Sequence, residues 1–231
     1  MKRRVPPAAV VDLVEVARLL GPLRTGVVFT GGAVVPLLVT DPAAPPARAT
    51  YDVDLFLDAA TSRRYHDVEG RLRANGFTQD LANPMICRWS RGRLDVDLMP
   101  DDERILGFSN RWYRLAAQRA QVHRIDDLDV RVIDPPCFVA TKLEAFTSPT
   151  RENAGDLQAS HDLEDIVTVI DGRASFVDEV AEAPDQVRAF LASRFTTLLA
   201  NPAWSVALVG HLGGDEGRAA IVHERLAGLV R

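Results

Sequence analysis

Residues 27–57 constrain this chain more than any other segment, because they end in a strand with two acidic side chains. The segment reads VVFTGGAVVPLLVTDPAAPPARATYDVDLFL. Residues 51–57 have the composition of a β-strand, whose side chains alternate between two faces, so Asp52 and Asp54 project from the same face. Two carboxylates this close repel each other unless one is protonated or a cation neutralises both. The strand alone therefore predicts either a protonated carboxyl or a bound cation at this face.

A Gly-Gly turn precedes this acidic strand. An apolar run ends at Thr30, and Gly31 and Gly32 follow it directly. Glycine leaves its backbone N–H groups accessible to an anion, since no side chain stands in the way. Arg48, just before the acidic strand, is a further candidate for a phosphate contact, and a solvated side chain is the alternative. Turn and strand together predict a site for a metal-bound polyphosphate.

Composition narrows the class of protein. The 231 residues are 47% hydrophobic, enough for a substantial core, and the formal net charge of −5 gives no overall basic field for nucleic acid. Only two cysteines occur, no apolar leader follows Met1, and no apolar run reaches the roughly 20 residues that span a bilayer. We expect a cytoplasmic protein without a membrane partner.

Hydrophobic periodicity and helix-capping residues predict the remaining elements. The predicted helices are 8–20, 33–39, 61–75, 137–146, 160–170, 176–182, 184–199 and 216–230. The predicted strands are 27–30, 51–57, 85–90, 93–99 and 130–133. The pattern changes near residue 135 from mixed to helical. We expect an α+β fold with a mixed sheet and flanking helices in residues 1–134, followed by a helical half in residues 135–231.

A second acidic strand lies in the predicted hairpin. Residues 85–90 and 93–99 are joined by Arg91-Gly92, and the second strand carries Asp95 and Asp97 on one face. If this strand neighbours the first acidic strand, three carboxylates converge, and such a cluster can hold two Mg²⁺ ions about 3.5–4 Å apart. Asp97 is the predicted third ligand, and Asp95 is interpreted as solvated.

The order of these motifs resembles the nucleotidyltransferase superfamily: a Gly-Gly pair, Asp-x-Asp on a strand, then a third acid on a later strand. More narrowly, the chain is similar to the AbiEii-type (MenT-like) nucleotidyltransferase toxins and their stand-alone relatives. Two later segments carry that narrower likeness. They are FVATKLEAF at 138–146, which matches the family's lysine motif, and SHDLEDI at 160–166, which matches its Asp-x-x-Asp motif.

The resemblance implies transfer of a nucleoside monophosphate from an NTP, with release of pyrophosphate. It implies that Lys142 neutralises charge on the triphosphate and that Asp162 or Asp165 orients Lys142 or the acceptor. The expected cofactor is Mg²⁺ in a two-metal site, with Mn²⁺ as the alternative ion. The expected metal ligands are Asp52, Asp54 and Asp97, and the expected nucleotide-binding residues are Thr30, Gly31, Gly32, Arg48 and Lys142.

The acceptor and the partners stay open. Toxins of this type modify tRNA 3′ ends, which implies tRNA as an acceptor and a cognate antitoxin as a partner. A small-molecule acceptor, as in aminoglycoside-type enzymes, is the first alternative. A nucleotide-binding module without turnover is the second, because Ala33 stands where the family often has a Ser or Thr hydroxyl. An arginine-rich set is either a tRNA-facing patch or a solvated surface: Arg71, Arg73, Arg88, Arg91 and Arg93.

Overall fold

The computed structural model describes residues 7–58, 62–79, 86–149 and 153–230. The chain divides into two compact units. The first comprises Met1–Pro36 and Arg48–Asp134, and the second comprises Leu37–Ala47 and Pro135–Arg231. Residues 37–47, between the Gly-Gly turn and the acidic strand, thus belong to the second unit.

The first unit is built on a mixed six-stranded sheet. Its strands are β1 (Val27–Thr30), β2 (Asp52–Leu57), β3 (Arg88–Arg91), β4 (Leu94–Met99), β5 (Gln121–Ile125) and β6 (Leu128–Val132). They lie in the order β3-β4-β2-β1-β6-β5. The pairs β2–β4 and β1–β6 are parallel, and the other three neighbouring pairs are antiparallel.

The register of the central strands brings the acidic residues together. Asp54 lies opposite Asp97 of β4 on one side and opposite Thr30 of β1 on the other. Asp52 lies opposite Asp95. Adjacent strands are about 4.8 Å apart, so carboxylates in register on one face are close neighbours. The predicted convergence of the two acidic strands is confirmed.

Helices flank the sheet in the first unit. They are α1 (Ala8–Leu20), α3 (Ser62–Ala74), α4 (Glu103–Leu106) and α5 (Tyr113–Arg119). The buried side chains of α1 recur at helical spacing, and α1 packs against α3 and β2. A 3₁₀ turn over Gly32–Val34 leads into α2 (Val35–Leu38), whose Pro36 lies in the first turn, as expected.

The second unit is helical in its described residues after 135. Its helices are α6 (Pro135–Phe146), α7 (His161–Gly172), α8 (Phe176–Ala181), α9 (Asp185–Leu199), α10 (Trp204–His211) and α11 (Glu216–Leu229). α6 packs on α7, α8 and α9, and α11 packs on α7, α8, α9 and α10. The predicted α+β class is confirmed, because the first unit has a mixed sheet with flanking helices and the second unit is helical.

Several predicted elements needed correction. The hairpin turn is Gly92-Arg93 and not Arg91-Gly92, because Arg91 still pairs with Leu94. The sequence did not predict α4, α5, α10 or β5. β5 is an edge strand with mostly exposed or half-buried side chains, so its sequence lacks a hydrophobic pattern. The predicted ends at residues 61 and 85 lie outside the described residues.

No helix within the described part of the chain is both long and apolar enough to cross a lipid bilayer.

Candidate functional site

Three carboxylates form what we call the acidic face: Asp52 and Asp54 on β2, and Asp97 on β4. Asp97 is buried, with 4% of its surface exposed, whereas Asp52 and Asp54 are half-buried. The alternate positions on both strands are apolar and buried, including Val53 and Val96. The period of the strand therefore turns the acids to one face and the aliphatic side chains to the core.

The guanidinium of Arg88 lies on the acidic face. Its Nε and Nη2 donate to the two oxygens of Asp97 at 2.7 Å each, and Nη2 also donates to Oδ2 of Asp52 at 2.8 Å. The hydrogen bonds to Asp97 are the main reason that the pKa of Arg88 is raised. A charge-assisted bidentate pair of this kind is among the stronger hydrogen-bonded contacts in proteins.

Two hydroxyl groups also donate hydrogen bonds to carboxylates of the acidic strands. Thr50 donates to Oδ1 of Asp52 at 2.8 Å, and Ser90 donates to Oδ1 of Asp95 at 2.6 Å. Asp95 is half-buried and is held by its cross-strand neighbour, so it is more exposed than Asp97 and yet hydrogen-bonded within the sheet.

The Gly-Gly turn lies against the same face. Gly31 has φ +69°, and a Cβ placed on it would lie 1.7 Å from Oδ2 of Asp54. A Cβ on Gly32 would meet Nη2 of Arg48 and the side chain of Thr50, both at 3.1 Å. The first glycine therefore adjoins an acid, and the second adjoins a cation and a hydroxyl. Backbone N–H groups beside a guanidinium suit an anion such as phosphate.

The acidic face fits a divalent metal ion in its donor type, because Mg²⁺ and Mn²⁺ prefer carboxylate oxygens. In the described residues, no three His, Cys, Asp or Glu side chains are arranged as a metal-binding group. The guanidinium of Arg88 holds both oxygens of Asp97 and one of Asp52. Arg88 thus occupies carboxylate oxygens of the acidic face.

A buried thiol adjoins the acidic face. Cys87 precedes Arg88, and its carbonyl accepts from the backbone N–H of Leu98 at 2.9 Å. Burial raises the pKa of the Cys87 thiol to about 12, and the negative charges of Asp97 and Asp54 act in the same direction. The thiol is therefore neutral at physiological pH and is a poor nucleophile.

A separate ion cluster lies in the second unit. Nζ of Lys142 on α6 is 2.9 Å from Oδ1 of Asp162 and 2.9 Å from Oδ2 of Asp165, both on α7. Asp165 is almost fully buried, and Lys142 and Asp162 are also buried. One helical turn separates the two acids, so both face α6. The structure thus brings together the three residues that the sequence selected here, and both acids contact the lysine.

The arginine-rich set is paired within the protein. Arg88 holds the acidic face, Arg91 pairs with Glu15, and Arg93 pairs with Asp12. Arg71 donates to a backbone carbonyl, and Arg73 lies over the ring of Trp89. Each of the five arginines therefore has at least one contact within the protein.

Comparison with known proteins identifies the fold. No family model and no curated protein matches the sequence. A solved structure described as an antigenic nucleotidyltransferase-like protein from Paracoccidioides brasiliensis is similar over 88% of this chain and 94% of its own length. The TM-score is 0.50 and the identity is 18%. The chain has a nucleotidyltransferase-like fold. At this identity the likeness extends to the fold alone.

Sequence reasoning missed the role of Arg88. The signal for it was the hairpin register, which places Arg88 directly opposite Asp97. A hairpin turn at Arg91-Gly92, one residue earlier than the observed turn, would place Arg88 opposite Asp95. The pairing of Arg88 with Asp97 therefore does not follow from the predicted turn.

Proposed function

We propose that this protein is a metal-dependent nucleotidyltransferase, which moves a nucleoside monophosphate from an NTP to an acceptor hydroxyl or phosphate and releases pyrophosphate. The observation that carries the proposal is the Gly-Gly turn packed against an acidic strand pair, with Gly31 touching Asp54. The nucleotidyltransferase-like fold supports it. The same arrangement offers N–H groups to the phosphates and carboxylates to a cation.

Each group has a defined task in this reaction. The backbone N–H groups of Gly31 and Gly32 would bind phosphate oxygens, and Arg48 beside Gly32 would add a positive charge there. Asp52, Asp54 and Asp97 would hold Mg²⁺ or Mn²⁺, which would supply charge neutralisation and lower the pKa of the acceptor hydroxyl. Lys142 keeps the role that the resemblance implies, neutralisation of charge on the triphosphate, with Asp162 and Asp165 fixing its position.

The test uses NTPs labelled at the α-phosphate, with Mg²⁺ and a panel of acceptors. Label transfer and pyrophosphate release are measured for the wild type and for Asp52→Asn and Asp54→Asn. We expect both substitutions to lower the rate on the order of 100-fold, because each removes a carboxylate ligand of the cation that would neutralise charge on the reacting phosphate.

Asp95→Asn is the matched control. Asp95 lies on the same face, opposite Asp52, but it bonds to Ser90 and not to Arg88. This variant should keep its activity. Equal losses in Asp95→Asn and Asp52→Asn would contradict the site assignment.

For the acceptor, we propose tRNA, following the resemblance, with a cognate antitoxin as the partner that would restrain such an activity. Label transfer to total tRNA but not to aminoglycosides would support it, and the reverse result would favour a small-molecule acceptor. Arg88, Arg91 and Arg93 of the arginine-rich set form ion pairs within the protein. The assay therefore tests a small-molecule acceptor alongside tRNA.

A nucleotide-binding module without turnover is the second candidate. The pairing of Arg88 with Asp52 and Asp97 favours it, because these carboxylates have a cationic partner without a metal ion. An NTP that raises the melting temperature without Mg²⁺, together with no pyrophosphate release for any acceptor, would establish this candidate and contradict the transferase.

A further inference from the structure

Arg88 reaches the acidic face from the edge of the sheet. It lies on β3, the edge strand, opposite Asp97 of β4, and its guanidinium extends further to Asp52 of β2. The two backbones lie two strand spacings apart, or roughly 10 Å, and the side chains of Arg88 and Asp52 together bridge this gap. This path places the charged head between carboxylates of two different strands.

The three hydrogen bonds of Arg88 occupy the oxygens that a cation would need. Both oxygens of Asp97 accept from Arg88, as does Oδ2 of Asp52, while Thr50 donates to the remaining oxygen of Asp52. A guanidinium and a divalent ion cannot share the same carboxylate lone pairs. Arg88 and a divalent ion therefore compete for Asp97 and Asp52.

Arg88 is placed so that it can move. About a quarter of its side chain is exposed, compared with 5% of the Asp97 side chain. Its contacts are with side chains that the sheet holds in place, so a change of rotamer frees the guanidinium without moving the backbone. A guanidinium that leaves these carboxylates can donate two parallel hydrogen bonds to a phosphate.

We propose that Arg88 is a built-in counterion of the acidic face, which must leave Asp97 and Asp52 before a divalent cation binds and which then contacts the phosphates of the nucleotide. Without nucleotide, Arg88 keeps the carboxylates paired and the affinity for free divalent cations low. With nucleotide, the triphosphate offers Arg88 new acceptors, so metal and nucleotide bind together. The nucleotide step rests on the proposed function, whereas the competition with the cation does not.

The first experiment measures Mn²⁺ binding to the nucleotide-free protein by electron paramagnetic resonance of free Mn²⁺. Arg88→Gln keeps hydrogen-bond donors but removes the charge, and we expect it to bind Mn²⁺ about tenfold or more tightly than the wild type. Arg88→Lys keeps a competing charge and should stay close to the wild type. Asp97→Asn added to Arg88→Gln should abolish the gain.

Arg91→Gln is the matched control. Arg91 lies on the same strand and pairs with Glu15, and its side chain is comparably buried. Its loss changes the net charge by the same amount as Arg88→Gln but leaves the acidic face untouched, so its Mn²⁺ affinity should equal that of the wild type. A gain of similar size in both variants would overturn the proposal.

The second experiment measures binding of ATP, GTP, CTP and UTP in the presence of Mg²⁺ by titration calorimetry. Here Arg88→Gln should bind the preferred triphosphate about tenfold more weakly than the wild type, the opposite sign to its effect on Mn²⁺ alone. Unchanged Mn²⁺ affinity, or equal or tighter triphosphate binding, would overturn the proposal. A further outcome separates the two proposals. If Arg88→Gln raises the Mn²⁺ affinity but neither it nor the wild type transfers label to any acceptor, Arg88 competes with the cation and the proposed transferase function is wrong.

Discussion

At the scale of single residues, Gly31 is the position where the backbone of the Gly-Gly turn packs directly against a carboxylate of the acidic face. Its φ of +69° is a conformation that side chains disfavour, and a Cβ there would overlap Oδ2 of Asp54. The sequence showed that a glycine was present. The antiparallel pairing of β1 with β2 places Thr30 opposite Asp54, and this register decides that Gly31 packs against Asp54.

Gly31→Ala should therefore cost more than the backbone strain alone. Strain at this φ with ψ −164°, a conformation essentially confined to glycine, accounts for about 1–3 kcal/mol of the free energy of unfolding, and displacement of Asp54 adds to it and weakens nucleotide binding. Gly92→Ala is the matched control, since Gly92 has φ +60° with no atom near the new Cβ. Urea unfolding of both variants measures the difference, and equal losses would mean that Asp54 moves aside freely.

The thiol of Cys87 gives stability a pH dependence of predictable sign. Burial raises its pKa from the ordinary 9.0 to about 12 in the folded protein, so the unfolded chain loses this proton first. The contribution to stability is complete below pH 9 and is lost as the pH rises towards 12.

Cys87→Ala should remove this dependence. Urea midpoints measured from pH 7 to 11 should fall less steeply above pH 9 in the variant than in the wild type, apart from a constant offset from the smaller side chain. Parallel curves would show that the Cys87 thiol does not titrate differently in the two states.

At the scale of elements, α7 begins where the sequence predicted it to begin. The side chain of Ser160 accepts from the backbone N–H of Leu163 at 3.3 Å, so Ser160 is the N-cap of α7. Because Ser160 caps the helix, α7 begins at His161, and Asp162 and Asp165 lie in its first two turns. A local signal thus positions the two acids that hold Lys142.

Ser160→Ala should lower the free energy of unfolding by about 1 kcal/mol, because a buried N–H loses its acceptor. Asp215→Ala removes the comparable cap of α11 and should cost a similar amount. Chemical shifts of the Lys142 side chain should change in Ser160→Ala but not in Asp215→Ala. A change of equal size in both variants would contradict a local role for the Ser160 cap.

Two of the elements that the sequence missed, β5 and α4, were missed for different physical reasons. β5 lies at the edge of the sheet, where most side chains face water and no alternation of apolar residues is required. α4 has four residues, too few for helical periodicity to be visible. The strands β1, β2 and β4 were found because burial on the core face imposes a pattern on them.

At the scale of the whole molecule, residues 37–47 are fixed within the second unit by contacts that are distant in sequence. The backbone N–H groups of Thr40 and Asp41 donate to the carbonyl of Gly172, and Arg218 pairs with both Asp41 and Asp171. Asp171 is buried, so its charge depends on Arg218 for compensation.

Arg218→Ala should cost about 3 kcal/mol of stability, because it leaves the buried Asp171 carboxylate without its cation. Arg188→Ala removes an arginine whose partner Asp185 is 94% exposed, and it should cost less than about 1 kcal/mol. Urea unfolding gives the two values, and limited proteolysis should cut residues 37–47 faster in Arg218→Ala only. If the two variants lose the same free energy of unfolding, contacts other than those of Arg218 stabilise residues 37–47.

The sequence by itself determined the α+β class, the Gly-Gly turn, the acidic strands and the lysine and Asp-x-x-Asp segments. These features depend on local spacing, turn residues and capping, which the chain carries along its length. Only the tertiary structure decided that Arg88 pairs with Asp97 and Asp52, that Ser90 holds Asp95, and that residues 37–47 belong to the second unit. These facts depend on strand register and on contacts between residues far apart in sequence, and a shift of one residue in the hairpin turn is enough to hide them.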